Sequence, residues 1–181
     1  MIVQIALLRG INVGSNKRVR MSDLRAVVEG IGYSSVRTLL NSGNVVFATP
    51  KGSPEEAAWR IEEALRTTLG VSARVIALNA EELSEAIEAN PLVKIANNSS
   101  RLLLGIMARP RDRAKLSEIA QQDWGEERIE LASKGKRAVY MWMPKGVIES
   151  KLNAAVSKAL GDGVTARSWA TMLKLKEMSN M

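Results

Sequence analysis

The chain opens on Ile2-Val3-Gln4-Ile5-Ala6-Leu7-Leu8, a nearly unbroken apolar run of the kind that forms a buried central strand. The run ends abruptly in glycines, asparagines and cations from Arg9 to Arg20. Beyond them, Ser22 is expected to cap a short helix, because Leu24, Val27, Val28 and Ile31 recur at i, i+3, i+4, i+7 before Gly32. Residues 35–40 and 45–48 are β-rich, and the Asn41-Ser42-Gly43-Asn44 segment between them suits a hairpin turn with positive φ. Ser53-Pro54-Glu55-Glu56 combines an N-cap, a proline at the first helical position and a capping-box Glu. The helix it starts carries Ala57, Ile61, Ala64, Leu65 and Thr68 on one face and stops at Gly70. Residues 73–78 read as a fourth strand. The order β-α-β-β-α-β predicts a ferredoxin-like unit, a four-stranded antiparallel sheet with both helices on one face.

The second half partly repeats the first. Asn79-Ala80-Glu81-Glu82 begins a helix through Ile87 that should end before Asn90-Pro91, since the residue before proline is pushed out of the α region. Strands are expected at 102–108, 128–131 and 138–143. A helix opens at Pro110 with Leu116, Ile119 and Ala120, and another is capped by Ser150 and buries Leu152, Ala155, Val156, Ala159 and Leu160. The predicted fold class is therefore α+β with two subdomains. The first, ferredoxin-like, spans 1–79; a helical connector covers 80–100; and 101–181 forms a similar but incomplete β-α-β-β-α unit plus a C-terminal helix, with Val164–Arg167 as a short candidate for the missing strand.

Composition narrows the chemistry. The 181 residues include neither cysteine nor histidine, which removes disulfides, thiolate metal sites, imidazole ligands and the usual nucleophile systems. No metal and no cofactor is expected. No apolar run has the length of a membrane span, and Arg9 interrupts the first segment before a signal-peptide pattern can form; a cytoplasmic protein without membrane partners is expected. The 26 Lys and Arg against 19 Asp and Glu give a net charge of +7, which favours polyanionic partners without defining a site for them.

Gly10 and Gly14 follow a buried strand and precede a helix, the usual place for backbone N–H groups that cradle phosphate. Their spacing fits neither the Walker A template, in which a Lys directly follows the second Gly, nor the G-x-G-x-x-G of a Rossmann turn. What remains is a loop over 8–18 in which the glycines permit tight turning, the asparagines offer amides, and Arg9, Lys17, Arg18 and Arg20 supply charge. In the predicted topology the first and third strands are antiparallel central neighbours. The end of the first strand should therefore meet the 41–44 turn. The candidate ligand site comprises Arg9, Gly10, Asn12, Gly14, Lys17, Asn41, Ser42, Gly43 and Asn44, with Lys151 and Arg167 as contributions from the second half.

Several stretches carry a family resemblance: Ile5 to Gly14, Met21-Ser22-Asp23-Leu24-Arg25, Val36-Arg37-Thr38 and Asn41 to Phe47, then Asn90-Pro91-Leu92, Ser150-Lys151-Leu152 and Thr165 to Trp169. With these the chain resembles the bacterial family catalogued as domain of unknown function 1697. Asn41, Leu92 and Ser168 stand where that family usually has Gln, Phe and Asn. The resemblance implies two α+β subdomains, at least one ferredoxin-like, and implies no activity.

Two functional classes remain open. One is a small anionic or polar ligand held at the loop and turn; the other is a non-sequence-specific nucleic-acid or polyanion binding module. Base stacking on a sheet needs ring side chains, and aromatic residues make up only 4% of the chain. Tyr140 and Trp142 share a strand face and are expected to be core. Trp169 should pack in a stripe with Met172 and Leu173, while Trp59 and Trp124 are expected to be partly exposed.

Overall fold

The computed structural model describes residues 1–14 and 18–180. The chain divides into two compact units, Met1–Leu83 with Leu175–Met181, and Ser84–Lys174. In the first unit β1 (Ile2–Arg9), α1 (Met21–Gly30), β2 (Ser34–Leu39), β3 (Asn44–Thr49), α2 (Pro54–Ala64) and β4 (Arg74–Asn79) follow in order. The sheet runs β2-β3-β1-β4 and every pairing is antiparallel, the ferredoxin-like arrangement. After α3 (Ala80–Glu88), the second unit contains β5 (Leu102–Met107), α4 (Arg113–Ala120), β6 (Arg128–Leu131), β7 (Ala138–Trp142), α5 (Lys151–Leu160) and β8 (Val164–Ser168), followed by α6 (Trp169–Ser179). Its sheet order is β6-β7-β5-β8. The short strand expected at Val164–Arg167 forms as β8, pairs with β5 from Leu103↔Ser168 to Met107↔Val164, and brings the second unit to the same six elements as the first.

In the first unit Ala6, Leu8, Val45, Phe47, Val75 and Ala77 point toward α1 and α2, where they meet Leu24, Val28 and Ile61. Phe47 stacks on Tyr33 with ring centroids 4.5 Å apart. Arg60 of α2 lies over the other participant, 5.0 Å from the Tyr33 ring centroid, and donates to the Ile31 carbonyl. The opposite sheet face is buried too: Ile5, Leu7, Val46, Ile76 and Leu78 are at most 3% exposed. This explains why β1 shows no apolar-polar alternation. Within the sheet Gln4 is completely buried and donates to the Asn79 side chain and the Gly52 carbonyl, both at 3.2 Å.

In the second unit Leu103, Met107, Val139 and Met141 face α4 and α5. Gly105 lies in the same row, where a Cβ would stand 2.7 Å from Val139 and 3.2 Å from Val164, so a larger residue has no room there. Tyr140 and Trp142 occupy the other face and are buried, as expected of core rings. The Tyr140 hydroxyl donates to the Ala86 carbonyl at 2.8 Å. Desolvation raises the pKa of that hydroxyl to about 12. Tyr33 is raised as well, burial outweighing the opposing pull of Arg60. Both tyrosines of the chain thus stay neutral in the folded state where they would ionise in the unfolded one. Unfolding free energy should therefore decline as pH climbs from 10 toward 12. Tyrosinate absorbance near 295 nm checks this: it should rise later in the native protein than in urea, and Tyr140→Phe should remove the latest-titrating component.

The helix ends show where local rules held and where they yielded. Ser53 and Ser150 accept from Glu56 N and Asn153 N, as N-caps do. Ser22 does not cap α1. The helix starts two residues earlier, its N-cap position is Arg20 without a side-chain bond, and Asp23 in the first turn pairs with Arg20 at 3.1 Å. The α2 helix continues through a wider turn, Leu65–Leu69, before left-handed Gly70. Thr67 there bonds back to the Glu63 carbonyl, a habit of threonine that loosens the last helical turn. In α6 the buried positions are Thr171, Met172, Leu175 and Ser179; Leu173 is exposed and Trp169 half-buried, correcting the expected stripe. Trp59 is exposed, whereas Trp124 is half-buried with its ring N–H on the Ile119 carbonyl.

Candidate functional site

The antiparallel β1·β3 register, Leu7↔Asn44, carries the end of β1 to the start of β3. The Leu8 N–H donates to the Gly43 carbonyl at 2.8 Å and continues the ladder into the turn. Loop and turn are thereby neighbours. The turn, residues 40–43, closes with two left-handed residues, Leu40 at φ 59° and Gly43 at φ 79°. Only glycine fits the second position sterically, since a Cβ would lie 2.7 Å from both Leu8 Cβ and Ile11 Cδ1.

Asn12 joins the two segments. Its Oδ1 accepts from Val19 N at 2.8 Å, while its Nδ2 donates to the Val19 carbonyl at 2.9 Å and to the Asn41 carbonyl at 2.8 Å. Both amide protons and one oxygen site are thus consumed in shaping the loop. Asn44 is similarly engaged: fully buried, it donates to the Leu39 carbonyl and to Ser42 Oγ. The amides that the sequence offers to a ligand therefore act chiefly as scaffold. The backbone is what they hold in place. Its φ is positive at Gly10 (83°), Asn12 (53°) and Gly14 (59°) but not at Ile11 or Val13, so the sign of φ alternates through five residues.

Charge surrounds this loop on the described residues. Arg9 is half-buried at the end of β1, directly across from Arg74 of β4. Arg74 pairs with Glu62 of α2 at 3.2 Å, and the same carboxylate accepts from Val75 N at 2.7 Å. Glu62 thus offsets part of the repulsion between two cations placed opposite one another. Arg18 and Arg20 are exposed, and Arg20 is engaged with Asp23. Lys17, part of the expected site, lies outside the described residues.

Lys151 and Arg167 belong to the second unit. Lys151 stands at the start of α5 in a groove of about 370 Å³ whose wall includes Glu126, Glu127 and Glu149. Glu127 accepts from Leu152 N at 3.1 Å, so a carboxylate of the chain already caps that helix end. The surroundings of Lys151 are acidic. Arg167, on β8 opposite Leu104, is half-buried and donates to the Ala166 carbonyl at 3.0 Å. Among the described residues no group of carboxylates could hold a metal ion, and no helix is long and apolar enough to cross a membrane.

Comparison with known proteins agrees with the architecture. The family model described as "Protein of unknown function (DUF1697)" matches residues 1–140. No curated protein matches the chain. Among solved structures, that of conserved bacterial protein SP0830 from Streptococcus pneumoniae is similar, with a TM-score of 0.79 at 19% identity over 99% of each chain. At that identity the likeness establishes the fold.

Proposed function

Because the chain belongs to the DUF1697 family, whose description assigns no activity, we propose its function from the loop itself: the Gly10–Gly14 segment, backed by the 41–44 turn, binds a small anion such as a phosphate or carboxylate group. The observation that supports this reading is the alternating sign of φ at Gly10, Asn12 and Gly14. Alternation in the sign of φ is a feature of anion-binding nests, in which neighbouring N–H groups turn toward a common concavity. Arg9 supplies charge at one end of the segment and Arg18 follows it in sequence. Asn12 fixes the curvature by tying the segment to Val19 and Asn41.

Gly10 provides a clean test. No heavy atom lies within 4 Å of a Cβ built there, so Gly10→Ala meets no clash and acts only through its φ of 83°. It should cost about 1 kcal/mol of stability. Millimolar inorganic phosphate should raise the melting temperature of the wild type, and Gly10→Ala and Arg9→Ala should each lose most of that increment. A wild type that does not respond, or variants that respond as fully as the wild type, would remove the site.

A further inference from the structure

The corner corresponding to this loop and turn in the second unit has a different chemistry. There the first strand of the sheet is β5, and Met107 N donates to the Arg137 carbonyl at 2.8 Å, just as Leu8 N does to Gly43. Three further links gather the neighbouring segments. Arg113 Nε donates to the Ala132 carbonyl at 2.9 Å, Ala108 N to the Gly163 carbonyl at 2.8 Å, and the Arg137 guanidinium lies 3.5 Å from the Met107 and Ala108 carbonyls. The turn after β5 and the β6–β7 hairpin therefore share one end of the sheet.

Cations crowd that end. Arg109, Arg111 and Lys115 on one segment and Lys134 and Lys136 on the other are exposed, with half-buried Arg113 and buried Arg137 behind them. The carboxylates that the contacts place among them are Asp112 and Glu85, and Asp162 precedes Gly163, whose carbonyl accepts from Ala108 N. Asp112 is nearly sealed from solvent and shared by Arg109 at 3.2 Å and Lys115 at 3.7 Å, while Glu85 pairs with Lys136. A single buried carboxylate thus anchors two cations without neutralising both. The whole unit is biased the same way, with 15 Lys and Arg against 10 Asp and Glu, compared with 11 against 9 in the first unit.

We propose that this corner binds the phosphate backbone of duplex nucleic acid, a function separate from the small-anion loop and independent of it. Charge complementarity selects a polyanion. The choice of duplex over single strand follows from the rings. Single strands are gripped by stacking on exposed aromatic faces, and Tyr140 and Trp142, the rings on this sheet, are 1% and 7% exposed. Backbone contacts position a protein without reading bases, so the binding is sequence-tolerant and strongly salt-dependent.

Fluorescence anisotropy of the full chain with a labelled duplex of about 20 base pairs, titrated between 50 and 200 mM NaCl (roughly the range over which phosphate-contact counts are resolved), tests the proposal. Arg111→Ala/Lys134→Ala removes two exposed cations, one from each segment. Binding at 50 mM NaCl should weaken at least tenfold, and the log-log salt slope should become shallower by about 1.8, the equivalent of two phosphate contacts. The control Arg25→Ala/Lys51→Ala removes the same charge from the first unit and should change affinity less than threefold. The proposal is overturned by no duplex binding at 50 mM NaCl, by equal losses in both double variants, by tighter binding of the matching single strand, or by retention on polyglutamate or anionic vesicles in place of the duplex. Arg9→Ala and Gly10→Ala should bind duplex like the wild type, so loss of the phosphate response at the loop and loss of duplex binding here are separately visible.

Discussion

Phe47→Ala should lower the unfolding free energy of the first unit by about 3–5 kcal/mol, the range for truncating a fully buried aromatic ring. Phe47 has no solvent exposure and sits on β3, with Tyr33 stacked against it and Arg60 capping Tyr33 in turn. Removing the ring leaves a cavity and also strips Tyr33 of its partner. Two units can unfold in separate steps, so a single melting temperature is a poor readout. Amide hydrogen exchange resolved by peptide serves better: protection should collapse in β1, β3 and α2 and hold in β5 and β7. Equal loss of protection in both sets of strands would show instead that the two units unfold as one.

Gly43→Ala should be the costliest substitution at the candidate site, about 2–4 kcal/mol. Two effects combine. Placing a Cβ on a left-handed residue costs about 1 kcal/mol, and inserting it 2.7 Å from Leu8 Cβ and Ile11 Cδ1 adds about 1–3 kcal/mol of overpacking. Ile11 can yield at its flexible end; the Leu8 Cβ is fixed to a central strand and cannot. The displaced turn would weaken the Leu8–Gly43 hydrogen bond and shift the Asn41 carbonyl that Asn12 holds. Urea denaturation should show the loss, and the phosphate response should vanish with it. Gly14→Ala makes the contrast: its φ is also positive but nothing lies within 4 Å of the added carbon, so only the smaller backbone cost of about 1 kcal/mol applies. If the two substitutions cost the same, the steric argument for Gly43 fails.

The order of strands and helices was legible because each element carries its own local signal. Examples are the apolar run of β1, the Ser53-Pro54 start of α2, the Ser150 cap of α5 and the left-handed stop at Gly70. The meeting of the 41–44 turn with the loop after β1 followed from topology alone, since an antiparallel pair of central strands admits no other arrangement. The destination of side-chain hydrogen bonds was not legible. Asn12 and Asn44 look in the sequence like amides available to a ligand, and the fold consumes them on Val19, Asn41, Leu39 and Ser42. The basic corner of the second unit escaped for the opposite reason. Arg109, Arg111 and Arg113 stand more than twenty residues from Lys134 and Lys136, and each short cluster resembles an ordinary solvated turn until the β5–β7 pairing joins them. The start of α1 at Met21 shows a third limit: a serine near a helix start is no cap when an Arg–Asp pair settles the first turn.

Burial of both faces of the first sheet changes what holds its strands in alignment. In a sheet with one wet face, slipping a strand by one residue drives its apolar side chains into water, and that penalty fixes the pairing. Along β1 and β3 the penalty is largely missing, because Ile5, Ala6, Leu7 and Leu8 are all buried and so are Val45, Val46 and Phe47. Polar residues take over the role. A one-residue shift of β1 would draw Gln4 away from Asn79 and Gly52, abandoning an amide in a dry interior where each unmet group costs about 1–3 kcal/mol, and a shift of β2 against β3 would do the same to Asn44, which is held by Leu39 and Ser42. Gln4 thus acts as a key that permits one alignment of the otherwise uniformly greasy β1, Asn44 does the same for the β2–β3 hairpin, and the two alignments together set the candidate loop opposite its turn.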